Sequence, residues 1–260
     1  MQNNLQPYGE TKKTKDRCQE VNCESYSKKL LDEFRFFEYA EYLDDAVYCC
    51  VAYIRRADHM ANLNIKTREL ACKIVFYGPG RGGKTTNLEY IFKTYRKQTT
   101  GEMISINTKG DRTLFFDFLP LKLGKIRGYD VRVQLYTVPG QVRYDATRKV
   151  VLRGVDGLVF VADSLLLRRE HNILSLQNLQ KNLSGYGLKI SEIPLVLQYN
   201  KRDLEKEGIR LLSVESMEKD LNRQLQVPSF SACASTGQGV GAALKECLKL
   251  TLQSLQNKLE

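Results

Sequence analysis

Gly78-Pro79-Gly80-Arg81-Gly82-Gly83-Lys84-Thr85 has the pattern G-x-x-x-x-G-K-[ST], and the glycines, Lys84 and Thr85 each have a physical use. Glycines let the backbone wrap around an anion with successive N–H groups pointing inward. Lys84 can reach the β- and γ-phosphates of a nucleotide, and Thr85 can offer its hydroxyl to Mg²⁺. A helix starting near Lys84 would aim the positive end of its dipole at the same phosphates. A plain Gly-rich turn is the competing reading. The context opposes it, because an apolar run (Leu70 to Tyr77) precedes the glycines and a helical run (Asn87 to Arg96) follows.

Three further stretches can act beside it. Asn200-Lys201-Arg202-Asp203 closes an apolar run about 115 residues beyond the loop. A carboxylate at Asp203 can accept from guanine N1–H and the exocyclic amine, a donor pair that adenine lacks. The backbone N–H of Ala234, in Cys233-Ala234-Ser235-Thr236-Gly237, could meet guanine O6, although an ordinary turn explains that stretch almost as well. In Val138-Pro139-Gly140-Gln141, the Gly140 N–H could approach a γ-phosphate and Gln141 could place a water for in-line attack. A Pro-Gly turn accounts for two of those residues but not for Gln141.

The elements that must hold these residues follow in regular alternation. A strand at Leu70–Tyr77 leads to a helix over about 84–96, then a polar loop, Thr99 to Thr113. Leu114 to Leu121 and Asp130 to Val138 read as a hairpin through Gly124–Gly128. Helices are expected at about 142–153, 164–184, 213–224 and 240–257. Buried strands are expected at Gly157–Ala162 and Pro194–Tyr199, and a short strand near 229–233. Such alternation predicts an α/β fold, a mostly parallel sheet with helices on both faces and ligand at the C-terminal strand ends.

The first 59 residues differ. Residues 1–23 are polar and lysine-rich, and read as disordered. Residues 24–59 read as a helical extension crowded with aromatics, among them Phe34, Phe36, Phe37, Tyr39, Tyr42, Tyr48 and Tyr53. Met60 could equally be the natural start, with 60–260 as the whole domain. The net charge of +10 is divided as about −2 over residues 1–59 and +12 beyond. No basic run interleaved with aromatics suggests nucleic acid as a partner. No apolar run reaches the roughly 18 residues that cross a bilayer. Seven scattered cysteines without C-x-x-C pairs read as reduced thiols. A cytoplasmic protein is expected.

From about Asn64 to the end the chain resembles the Ras-like small GTPases, and specifically the bacterial MglA family of polarity and motility switches. The resemblance rests on Cys72–Gly80 running into Gly83–Leu88, and on Asp111-Arg112-Thr113-Leu114-Phe115-Phe116-Asp117-Phe118-Leu119-Pro120. It rests also on Leu135-Tyr136-Thr137-Val138-Pro139-Gly140-Gln141, Gly154-Val155-Asp156-Gly157, and Gln198–Leu204. It implies a P-loop NTPase of the Ras-like three-layer fold that binds GTP or GDP with Mg²⁺. Gly78, Gly80, Arg81, Gly82, Gly83, Lys84, Thr85, Thr86, Gly140, Asn200, Lys201, Asp203 and Ala234 would line the nucleotide, with no role assigned to the Arg81 side chain. Thr85 and Thr113 would ligate the metal. Arg112 resembles the family's arginine acting in cis, and Gln141 its water-positioning glutamine. Thr137 stands where most Ras-like proteins have aspartate, which implies a weaker second-shell contact to Mg²⁺. The family's activators are roadblock-fold (MglB-like) homodimers, and its effectors act in polarity and motility, with recruitment to a cell pole. A nucleotide-dependent binding module with negligible turnover is the alternative. A P-loop kinase or ATPase is disfavoured by Asp203 and the lack of a lid-like basic segment.

Overall fold

A computed structural model describes residues 63–64, 67–105, 117–126, 128–141 and 144–257. The expectations for residues 1–62, including the aromatic helix, lie outside them, as do Arg112, Thr113 and the hairpin's first residues, 114–116.

The apolar runs form the middle of one sheet. Strand β2 (Glu69–Tyr77) is buried from Cys72 onward, and β6 (Gly157–Asp163) and β7 (Leu195–Asn200) are buried throughout. That is the behaviour of parallel strands covered on both faces. With β5 (Tyr129–Thr137) on one side and β8 (Ser229–Ser231) at the far edge, they give the parallel order β5-β2-β6-β7-β8. Strand β4 (Asp117–Ile126) extends it antiparallel to β5, and the two-residue β3 (Ile104–Ser105) pairs antiparallel with β4. The two-residue β1 (Leu63–Asn64) lies antiparallel to β2 at Glu69 and Leu70, ahead of where β6 begins pairing at Ile74.

Side chains on β2 alternate between faces. Cys72, Ile74 and Phe76 join Leu88 and Ile91 of α1 (Lys84–Thr94) and Val240, Ala243, Leu244 and Cys247 of α5 (Val240–Asn257) in one core cluster. Helices α2 (Asp145–Leu152) and α3 (Arg169–Ser184) pack on each other, and α3 packs on β6. Tyr77, the neighbour of Phe76, meets Asn178 and Asn182 of α3 instead. Leu88 and Ile91 are fully buried, so truncating either to alanine should cost about 2–5 kcal/mol.

The mostly parallel three-layer arrangement agrees with the sequence reading, and local departures have local causes. The hairpin turn is tighter than expected, with Ile126 pairing with Tyr129. Gly124 lies inside β4 rather than in the turn. Register shifts between Lys122 and Gly124, leaving Leu123 as the extra residue of a bulge, and Gly124 takes φ +89 there. The expected 164–184 helix opens with a 3-10 turn, Leu166–Arg168, before α3 begins. The 213–224 helix is α4 (Val214–Met217) followed by a π turn, Glu218–Asn222. In that turn Glu218 accepts from Tyr199, Ser229 and Asn222, tying it to β7 and β8. Cys72, Cys233 and Cys247 are buried free thiols, and burial pushes the Cys247 thiol up to about 12.

Candidate functional site

The loop from Gly78 to Thr85 joins β2 to α1 at the C-terminal edge of the parallel strands. Helix α1 starts with Gly83 as its cap residue, no side chain caps it, and its first turn holds no acid. The first N–H groups of a helix have no intrahelical partner, so this end is suited to an anion. Three residues of the loop have positive φ: Gly78 (φ 145) at its start, then Arg81 (φ 63) and Gly83 (φ 96). Alternation of this kind turns consecutive N–H groups to one side. For Arg81 the conformation costs about 1–2 kcal/mol, because its Cβ crowds the following carbonyl.

Lys84 is buried, and its Nζ donates to Gly78 O (3.0 Å) and Pro79 O (2.7 Å). Burial draws its pKa down to about 7, the charges of Arg148 and Arg168 push the same way, and the Asp117 carboxylate opposes them. Thr85 donates from Oγ1 to Asp117 Oδ2 at 2.7 Å, and the hydroxyl of Thr137 donates to the same oxygen at 2.8 Å. Thr137 Oγ1 also accepts the Asp117 N–H at 2.8 Å. Asp117, at the start of β4, therefore places a buried carboxylate beside Thr85, on the strand next to that of Thr137. The residues are hard oxygen donors, a set that fits Mg²⁺.

Gly140 packs directly on the loop. A Cβ there would lie 2.2 Å from Gly80 Cα, so no larger residue fits. Gln141, exposed, follows it, and its carbonyl accepts the Tyr144 N–H at 3.2 Å just before α2. Helix α2 is anchored from below. Asp145 Oδ1 accepts from Asn178 (2.8 Å) and Asn182 (3.0 Å) of α3, and Lys149 and Arg148 stand 3.3 Å from the carboxylate. Burial acts to raise the Asp145 pKa, but those hydrogen bonds and the Arg148 charge outweigh it and hold it at about 2.

Asn200 ties the second loop to the first. Its Nδ2 donates to Gly82 O (2.8 Å) and its Oδ1 accepts the Ala234 N–H (2.9 Å). In this geometry the Ala234 N–H is given to Asn200, so a guanine O6 would have to share it. Lys201 is left-handed (φ 68) and its Nζ lies 2.7 Å from Asp163 Oδ2. Asp203 stands, half-buried, in the 3-10 turn Arg202–Glu207 that follows β7. The fold thus gathers the Gly78–Thr85 loop, Gly140, Asn200, Lys201 and Ala234 at one edge, with Thr86 in the first turn of α1.

Asp117, Asp163 and Arg168 escaped the reading of the sequence. Asp117 stands in Phe115-Phe116-Asp117-Phe118-Leu119, an acid within an apolar run of sequence, and Asp163 ends another apolar run. Both patterns are signals that burial of a charge must be compensated. Arg168 carries no such signal.

With this geometry the class is defined. The Ras family profile matches residues 73–253, and the chain belongs to the Ras family: it is a Ras-like GTPase. The "Mutual gliding-motility protein MglA" of Myxococcus xanthus (strain DK1622) is 53% identical to it over 197 residues, 76% of this chain and 98% of that protein. Members of the Ras family bind GTP and GDP with Mg²⁺. No helix among the described residues is long and apolar enough to cross a membrane.

Proposed function

We propose that this chain is a nucleotide-governed switch in the control of bacterial polarity and motility, slow to hydrolyse GTP until a partner orders its loops. The observation that carries this reading is the bridge made by Asn200. One side chain joins the backbone of the phosphate loop to that of the Ala234 loop, so the two ends of a guanine nucleotide would be read by one connected frame. The match, over 98% of the gliding-motility protein and 76% of this chain, supports the cellular role.

In this reading the N–H groups of residues 80–86 and Lys84 take the phosphates, and Asp203 selects guanine. Lys201 supports the guanine end from beside Asp163. Thr85 and Thr113 hold Mg²⁺, with the Asp117 carboxylate behind Thr85. Bound there, Mg²⁺ would neutralise charge shared by the β- and γ-phosphates. Gly140 presents its N–H to the γ-phosphate, Gln141 orients water and Arg112 stabilises developing charge. Residues 60–260 form the GTPase domain and residues 1–59 an extension of it. A roadblock-fold homodimer is the proposed activator, and recruitment from the cytoplasm to a cell pole the proposed location.

The test is to extract and identify nucleotide from the purified full-length protein, then measure GTP turnover alone and with a roadblock-fold partner. Co-purified guanine nucleotide and a partner-stimulated rate are expected. A protein that prefers ATP, or that no roadblock protein stimulates, would sink the proposal.

A further inference from the structure

Arg168 lies in the 3-10 turn ahead of α3, far from the phosphate loop in sequence, yet its Nη2 donates to Gly80 O at 2.6 Å. Its Nε stands 3.7 Å from Asp163 Oδ2. Asp163 is 1% exposed and held on every side. Its Oδ2 accepts Lys201 Nζ, its Oδ1 accepts the Leu165 N–H at 3.1 Å, and Asn172 of α3 brackets its backbone. Asn172 Oδ1 accepts the Asp163 N–H at 2.9 Å and its Nδ2 donates to Asp163 O at 2.8 Å. The carboxylate that seats Arg168 is therefore fixed, and so is the reach of the guanidinium.

The carbonyl that Arg168 grips belongs to the same planar unit as the N–H of Arg81. In a trans peptide the two point in opposite directions. A cation holding Gly80 O on one side therefore commits the Arg81 N–H to the other. The next residue's conformation shows why this commitment needs support. Arg81 has φ 63, which non-glycine residues adopt uncommonly. Left to local preference, this peptide would turn.

We infer that Arg168 is a positioning residue for nucleotide binding: it clamps the Gly80–Arg81 peptide so that the Arg81 N–H faces the bound phosphates, and through Asp163 it links that peptide to Lys201 at the guanine end. The inference rests on the reading of Gly78–Thr85 as the phosphate loop. It assigns the phosphate end and the guanine end a shared anchor, Asp163 Oδ2, beside the Asn200 bridge.

Release of a fluorescent GDP analogue from full-length protein tests it, with wild type, Arg168→Met and Arg168→Lys compared. Arg168→Met should release GDP about tenfold to a hundredfold faster, the range corresponding to loss of a hydrogen bond from a charged donor. Arg168→Lys, which keeps a charged donor, should fall between it and wild type. Thermal unfolding without nucleotide should fall only by the loss of that one bond, and release is compared well below the unfolding temperature of every variant, which separates positioning from folding. If Arg168→Met does not fold, Arg168→Gln, uncharged and shorter, is read in its place. Amide hydrogen exchange gives the local measurement: GDP should protect the Arg81 N–H in wild type and not in the uncharged variant, while the Thr85 N–H stays protected in both. Release and Arg81 protection at wild-type values in the variants overturn this inference alone. A wild type that binds no GDP overturns the phosphate-loop reading, and this inference with it.

Discussion

The carboxylate of Asp117 lies 2.7 Å from the hydroxyl of Thr85, although the two residues come from β4 and α1. Thr137, on β5, fixes it there by exchanging two hydrogen bonds with the same aspartate. If Thr85 holds Mg²⁺ as proposed, the carboxylate behind it would keep the hydroxyl's lone pairs toward the ion, and removing such a partner typically lowers metal affinity about 10–100-fold. Asp117→Asn should therefore raise the Mg²⁺ concentration needed to slow GDP release by about that factor. A Mg²⁺ titration of fluorescent GDP release reads it, and an unchanged midpoint would remove Asp117 from the site.

Thr137 is bound to Asp117 through both its hydroxyl hydrogen and its oxygen. Its hydroxyl donates to a buried carboxylate, and hydrogen bonds to charged groups contribute about 1.5–3 kcal/mol. Thr137→Val keeps the shape and removes both bonds. It should destabilise the fold by about that amount in urea unfolding, with Asp117→Asn and Thr137→Val less than additive because they share one interaction. Full additivity would mean that the pair is not coupled.

Lys84 gives a pH dependence with a definite sign. Its folded pKa without nucleotide is about 7, against 10.5 for the free side chain. Between those values the unfolded chain holds a proton that the folded chain does not. Its contribution to stability therefore rises with pH across that window, by at most about 1.4 kcal/mol per pH unit. The difference in unfolding free energy between wild type and Lys84→Met should shift in favour of wild type from pH 7 to pH 9. Saturating GDP should flatten that shift, since phosphates restore the charge on Nζ. An equal difference at both pH values would show that Lys84 is hydrated in the nucleotide-free protein.

Guanine selectivity tests the base end. Asp203→Asn replaces an acceptor with a mixed donor and acceptor, so GTP should bind more weakly and xanthine nucleotides, with an acceptor where guanine has a donor, should gain. Competition titrations with GTP, XTP and ATP measure the order. ATP binding as tightly as GTP in wild type would place the selectivity elsewhere.

What the sequence reveals of this site depends on whether a residue's role is local. Gly78–Thr85 and Asn200–Asp203 are legible because a strand, a turn and a helix start impose their types at fixed spacing. The parallel sheet is legible for a similar reason, since Gly157–Asp163 and Leu195–Asn200 are apolar without alternation. Asp117 and Arg168 act across the sheet, 32 and 88 residues from their partners. No local pattern encodes such a meeting, and only strand order β4-β5-β2-β6 brings both to the loop. Gly124 misleads in the opposite way, because a glycine that permits a bulge looks the same in sequence as one that permits a turn.

The mechanism is tested by the two residues proposed to act on the γ-phosphoryl group. Charge builds on that group in the transition state, so groups that meet it only there raise the rate rather than the affinity. An arginine so placed supplies roughly 10³–10⁵ in rate. Gln141 sits beside Gly80, exposed, in the segment between the packed Gly140 and the anchored α2. Arg112 stands in the polar stretch that leads into β4. A partner that fixes both stretches can therefore stimulate hydrolysis without adding an arginine of its own. Arg112→Ala and Gln141→Ala should each bind GTP within about threefold of wild type, since neither residue is assigned a ground-state contact. Each should lose most of the partner-stimulated rate in single-turnover measurements. If Arg112→Ala is stimulated as fully as wild type, the arginine comes from the partner and the assignment of Arg112 is wrong.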